Sequence, residues 1–260
     1  MRIIAVPSNP VVTVLLTHHL DENRKYVDLA LKSVLASEGI EFEVILLCDT
    51  DTVPEVPPSV LVVHDNRLDT ATKKVHHGIK LAHPASKYFL LLSDDVIVSK
   101  DMIANMVKWQ DPEMGFIMNP LSNSDIGGRI LINLQASRED GKTVQLKPDM
   151  DYSDMEGFTH CVQNFGVSIP MLVRQPWVSF FCTMIPRKVW EIAGPLDEAL
   201  EYRHNDEDLC LRAERLGIPT LINFSAFAFH FGTKTLYKAA KPGEMDEASR
   251  HFARKWGKHG

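Results

Sequence analysis

Cysteine is scarce. Cys48, Cys161, Cys182 and Cys210 stand far apart, four in all with no Cys-x-x-Cys pair. That spacing argues against a disulfide framework and a cysteine-built zinc site, and it suits a reducing, cytoplasmic setting. Long apolar runs are missing as well: nothing approaches the about 18 residues that span a bilayer, and no signal peptide precedes the first strand. Basic charge is in short supply, since 28 Lys and Arg against 34 Asp and Glu leave a net charge of −6. A general nucleic-acid binder needs the opposite balance. The sequence has no internal repeat and no low-complexity stretch. What is present is ordinary globular composition, 45% hydrophobic and 24% charged over 260 residues, enough for one large α/β domain or two small ones.

The most informative stretch is Lys87–Val98, KYFLLLSDDVIV. An aromatic and aliphatic run of strand length, Tyr88–Leu92, stops abruptly at Ser93, Asp94 and Asp95. Continuous apolar runs of this kind fit strands buried on both faces of a parallel sheet. Open α/β sheets bind ligands just beyond the carboxyl ends of their strands. Two adjacent carboxylates there repel each other unless a cation or donors hold them. Mg²⁺ or Mn²⁺, which take carboxylates together with substrate phosphates, would do so. The plain alternative is a polar turn ending the strand.

Around this stretch the pattern alternates. Val11–Leu16 predicts a strand ending in Thr17, His18 and His19, and Tyr26–Ser37 a helix. Phe42–Leu47 predicts a strand ending at Asp49 and Asp51, and Val53–Pro58 a loop because proline cannot donate to a ladder. Val60–His64 follows as a strand, Ala71–Ala82 as a helix, and a further helix runs from about Asp101 to Trp109. This is the order of a nucleotide-binding α/β half. Met114–Met118 predicts another strand. Asn119–Gln175 is turn-rich, with only Arg129–Leu134 strand-like, and is read as substrate-shaping loops. Then come an aromatic strand, Trp177–Met184, and a helix over Arg187–Ala193. A helix from about Asp206 to Gly217 and short strands at Thr220–Phe224 and Ala226–Phe229 complete the pattern. In the first turn of the Asp206 helix, three acids exceed what capping requires. A carboxylate aimed at a cleft is what a general base requires, so Asp206 is the candidate base and Glu207 its nearest rival.

With these residues on the page, the layout resembles the inverting family 2 glycosyltransferases, which have the GT-A fold, a Rossmann-like, mostly parallel sheet flanked by helices. The resemblance rests on Asp94-Asp95 at the Asp-x-Asp position, where Asp95 is the acid matched. It rests further on Gly194-Pro195-Leu196-Asp197-Glu198, on Asp206-Glu207-Asp208-Leu209-Cys210-Leu211-Arg212, on His230-Phe231-Gly232 and on the Phe252–Gly257 ending. It implies Asp206 as catalytic base, Asp95 and His230 as ligands of Mn²⁺ or Mg²⁺, and Asp49, with Asp51 close by, as reader of the nucleotide base. Thr17, His18 and His19 would line the donor site with Asp94, and His76 stands where the family has an asparagine. Arg67 and Lys73 are candidates for phosphate, against solvated charge as the plain reading.

The implied donor is a nucleotide sugar, UDP-linked before GDP-linked, and the acceptor a carbohydrate or glycoconjugate. Residues 1–118 would hold the donor, and 119–260 the acceptor and the base. The Arg254-Lys255-Trp256 tail reads as a packed terminal helix, with peripheral membrane contact as the minority reading. Two competing classes are a sugar-phosphate nucleotidyltransferase, whose Gly-rich, Arg-containing first loop is absent at Thr17–Leu20, and an inactive carbohydrate-binding relative.

Overall fold

The computed structural model describes residues 9–111, 113–123, 135–137, 143–145, 155–164, 169–201, 203–232 and 243–257. The expected strand at Arg129–Leu134 lies outside them. The first half runs β1 (Val12–His18), α1 (Arg24–Leu35), β2 (Phe42–Cys48), β3 (Val60–His64), α2 (Ala71–Leu81), β4 (Tyr88–Ser93), β5 (Val96–Val98) and α3 (Met102–Lys108). It continues through β6 (Ile117–Ser122), the small hairpin β7 (Gln135–Ser137) and β8 (Thr143–Gln145), and α4 (Met155–Gln163). The remainder is β9 (Leu172–Gln175), β10 (Cys182–Pro186), α5 (Arg187–Ala193), α6 (Asn205–Arg215), β11 (Thr220–His230) and α7 (Glu244–Trp256).

One nine-stranded sheet, ordered β3-β2-β1-β4-β10-β6-β11-β5 with β9 also on β11, runs through both halves of the chain. β3, β2, β1 and β4 are mutually parallel, and β6 runs parallel to β11. β10 enters antiparallel between β4 and β6. The register sets Thr17 beside Leu47 and Ser93, so β1, β2 and β4 end at one level and their next residues project over a common edge.

Why the helices lie where they do follows from their buried faces. α2 turns Thr72, Lys74, Val75 and Gly78 inward. A Cβ on Gly78 would come within 2.8 Å of both Leu15 and Leu47, so glycine lets this helix sit directly on β1 and β2. Its N-cap is Thr70, whose hydroxyl accepts from the Lys73 N–H.

Several elements differ from the expectation. Asn119–Gln175, read as loops, carries the end of β6, the β7–β8 hairpin, α4 and β9 among its described residues. Beyond the acids that stop β4, Val96–Val98 is an additional short strand that pairs with β11. The aromatic stretch Trp177–Phe181 precedes β10, which begins at Cys182. The two expected late strands are one, β11, with an irregularity in its pairing between Asn223 and Phe227. Continuous burial from Thr220 to Phe229 lets the polar Asn223 and Ser225 stay inside a strand, because Ser225 donates to the Ile169 carbonyl and Asn223 to that of Asn105.

Candidate active site

The shared carboxyl edge gathers most of the expected side chains. At the end of β1, His18 Nδ1 lies 2.7 Å from Asp94 Oδ2, both deeply buried. The Asp94 carboxyl also accepts from the His19 backbone N–H. Burial pushes this carboxyl above the ordinary range, the neighbouring Asp95 adds to the effect, and His18 opposes it. Asp94 therefore ties the β1 and β4 termini together, and Asp95, also buried, is left to face His230.

Asp95 Oδ1 stands 3.2 Å from His230 Nε2. Strand pairing brings them together, since His230 ends β11 opposite Val96, the residue after Asp95. The imidazole stacks flat on Phe181, ring centres 4.5 Å apart and planes 5° from parallel. Asn123 brackets the His230 backbone, donating to its carbonyl at 3.0 Å and accepting from its N–H at 2.7 Å. Phe181, buried in the core, is also the surface on which this histidine is set.

The second acid cluster centres on Asp49. Its carboxylate meets His19 Nδ1 at 2.7 Å and Lys74 Nζ at 2.8 Å, with Lys74 only 1% exposed. Burial pushes the Asp49 carboxyl up, but His19 and Lys74 together outweigh it and hold it below its ordinary value. For Lys74 the balance goes the other way: desolvation lowers the amine despite Asp49 and Asp94. Lys74, not the phosphate candidate Lys73, is the lysine at this edge. The signal was available, because Lys74 is one turn before Gly78 and adjacent to Val75, hence on the inward face of α2.

Four further candidates lie in other surroundings. Asp51 is exposed, with its N–H donated to Asp21. Arg67 is 90% exposed and grips Asp65. Lys73 pairs with Asp69 at 2.7 Å and reaches toward Glu201. His76 faces Glu198 at 3.3 Å and the edge of Trp190, in an open groove of about 460 Å³ with Leu196 and Pro195, and burial lowers its basicity.

The acids of α6 are divided among three surroundings. Asp208 is fully buried and holds Arg212 at 2.9 Å, Lys255 at 2.8 Å and the Trp256 indole N–H at 2.8 Å. Glu207 is taken by His204 Nδ1 at 2.6 Å. Asp206, half-buried, accepts from the Glu207 N–H at 2.9 Å. From the sequence, the helix dipole favours its ionised form while Glu207 and Asp208 oppose it. Desolvation prevails instead, and with Glu207 beside it the Asp206 carboxyl is pushed up to about 6. The side chain of its neighbour Asn205 donates to Thr72 in α2, so the first turn of α6 adjoins the helix that carries Lys74.

Asp95 and His230 are the ligand-type pair. Among the described residues no group of three His, Cys, Asp or Glu side chains is arranged to hold a metal ion unaided. Two protein ligands suit a hard octahedral cation that completes its shell with substrate phosphate and water, so the residues present fit Mn²⁺ or Mg²⁺ arriving with a diphosphate.

No family model and no curated protein matches the sequence. Solved structures do. A crystal structure of GalNAc-T7 with UDP, GalNAc and Mn²⁺ superposes with a TM-score of 0.65 at 12% identity, over 94% of this chain and 48% of that one. The mannosyltransferase PcManGT from Pyrobaculum calidifontis, in complex with GDP-Man and Mn²⁺, gives a TM-score of 0.56 at 12% identity, over 98% of this chain and 78% of that one. This chain thus spans about half the length of the first protein. Its mixed α/β architecture is the GT-A fold expected from the sequence.

Proposed function

We propose that the protein is a metal-dependent glycosyltransferase of the inverting, family 2 type, moving a sugar from a nucleoside-diphosphate donor to an acceptor hydroxyl. The observation that carries this reading is the Asp95–His230 pair set on Phe181 at the sheet edge, in a chain whose other acidic turn presents the desolvated Asp206. Both fold neighbours were solved with Mn²⁺ and a uridine or guanosine diphosphate compound, which supports a UDP-sugar or GDP-sugar as donor. The acceptor is a carbohydrate or glycoconjugate.

In this reading Asp95 and His230 hold the cation with the donor diphosphate. The cation supplies charge stabilisation for the departing diphosphate. Asp206 takes the proton from the acceptor hydroxyl as its oxygen bonds to the anomeric carbon and the bond to the diphosphate breaks. Attack from the face opposite the leaving group inverts that centre. A carboxyl titrating near 6 is ionised at neutral pH yet basic enough to help, the compromise a general base needs. Residues 1–118 hold the donor, where Asp49, steadied by Lys74 and His19, meets the nucleotide base beside Thr17. His18 and Asp94 fix the walls of that site. Residues 119–260 supply the acceptor side.

The test is diphosphate release from a panel of UDP- and GDP-sugars with Mn²⁺, with the anomeric configuration of the product read by proton NMR. Release that requires Mn²⁺ and is lost in Asp95→Ala is expected. Pyrophosphate formed from a nucleoside triphosphate and a sugar phosphate would indicate the nucleotidyltransferase class instead.

A further inference from the structure

His204 is the one non-glycine residue with positive φ among those described, at φ 66° and ψ 6°, in the position immediately before α6. A bulky side chain in left-handed backbone is uncommon, and such strain persists where surrounding contacts over-determine it. Here the contacts are explicit. The ring binds Glu207 at 2.6 Å through Nδ1, meets Ser249 Oγ at 3.3 Å through Nε2, and stacks on Phe252 with centres 4.5 Å apart. Ser249 and Phe252 both belong to α7. The helix is fixed in turn by Lys255 and His251 on Asp197, by Trp256 and Lys255 on Asp208, and by Arg215 over the Trp256 ring.

We propose that His204 is a positioning residue that reserves Asp206 as the proton acceptor by occupying the Glu207 carboxylate, and that α7 is the platform that holds His204 in place. This rests on the reading of Asp206 as the base. The charged groups acting on Asp206 are Glu207, which raises its pKa, and His204, which lowers it. The Cys210 thiol one turn on is buried and held neutral, its pKa pushed up to about 12 by desolvation. From α2 the neutral Thr72 meets the adjacent Asn205, and from α7 the neutral Ser249 meets His204, while His251 and Lys255 are committed to Asp197 and Asp208. Removing the imidazole frees the Glu207 charge beside Asp206, which then holds its proton to higher pH. It also leaves Asp206 and Glu207 as equivalent competitors for the acceptor hydroxyl.

The test is a ¹³C NMR titration of the Asp206 carboxyl in the full chain without substrate, assigned by its absence in Asp206→Asn. His204→Asn keeps a residue that tolerates left-handed backbone and should move the Asp206 midpoint up by about one pH unit. His204→Asn combined with Glu207→Gln should bring it back to or below wild type. Phe252→Leu, which loses the stack but keeps an apolar contact, should move it in the same direction by less. An unmoved midpoint in both His204→Asn and Phe252→Leu overturns the proposal. Because the titration needs no turnover, failure of the transferase reading is seen separately, as absence of diphosphate release from the wild-type protein with every donor.

Discussion

Four carboxylates, three at the sheet edge and one in the first turn of α6, differ in what surrounds them, and their chemistry follows. Asp94 is buried against His18, Asp49 is neutralised by Lys74 and His19, Asp95 faces His230, and Asp206 is desolvated with a backbone N–H for partner. Of these, Asp206 is the one fitted to accept a proton near neutrality. Asp206→Asn keeps shape and removes basicity, so kcat should fall by at least about 10²-fold while donor affinity stays within a few-fold. In the wild type, kcat should rise with pH through about 6, the value to which desolvation pushes this carboxyl, since only the ionised form acts as base.

The same shift has a stability sign. The folded-state pKa lies above the unfolded one, so folding is favoured most below about 4 and loses that contribution as pH rises through 6. Asp206→Asn should therefore be more stable than wild type at pH 8, by up to about 3 kcal/mol, and melt higher, with the gap closing below pH 4. Equal melting temperatures at pH 8 would show that the carboxylate carries no desolvation cost.

At the scale of elements, the legible parts were those with a strong period or an abrupt end. The acids that stop β2 and β4, and the acidic first turn of α6, were readable because apolar runs end there. Lys74 was not read because the face of α2 was drawn from apolar residues alone, although a lysine beside Val75 and one turn from Gly78 has to point inward. The grip of His204 on α7 could not be read at all, since Ser249 and Phe252 are distant in sequence and only tertiary packing joins them. Likewise β10 was placed too early, because the aromatic Trp177–Phe181 segment is apolar for its contacts with His230 and the core rather than for a ladder. Lys74 gives this scale its own prediction. Removing one member of a buried ion pair strands the other, so Lys74→Met should cost about 3–5 kcal/mol in urea unfolding, and adding Asp49→Leu should recover most of it. A small cost in the single variant would mean that His19 alone satisfies Asp49.

For the whole molecule, the proposed reaction would bring a doubly charged diphosphate to an edge already carrying Asp49, Asp94 and Asp95, in a chain of net charge −6. Among the described residues the nearby cations are already engaged, Lys74 with Asp49 and Arg67 with Asp65. An ion brought in from solution would meet the remaining charge, and Asp95 in the β4–β5 turn with His230 at the end of β11 offers it a carboxylate and an imidazole. Nucleoside diphosphate binding should consequently be weak in EDTA and tighten by an order of magnitude or more with Mn²⁺, an effect Asp95→Ala abolishes and His230→Ala reduces. Mn²⁺ titrated calorimetrically without nucleotide should bind feebly, since two protein ligands leave most of the coordination shell to water. Tight binding of Mn²⁺ alone would require further protein ligands. Equal nucleotide affinity with Mn²⁺ and with EDTA would mean that the Asp95–His230 pair is an internal hydrogen bond and that the charge of the diphosphate is met elsewhere.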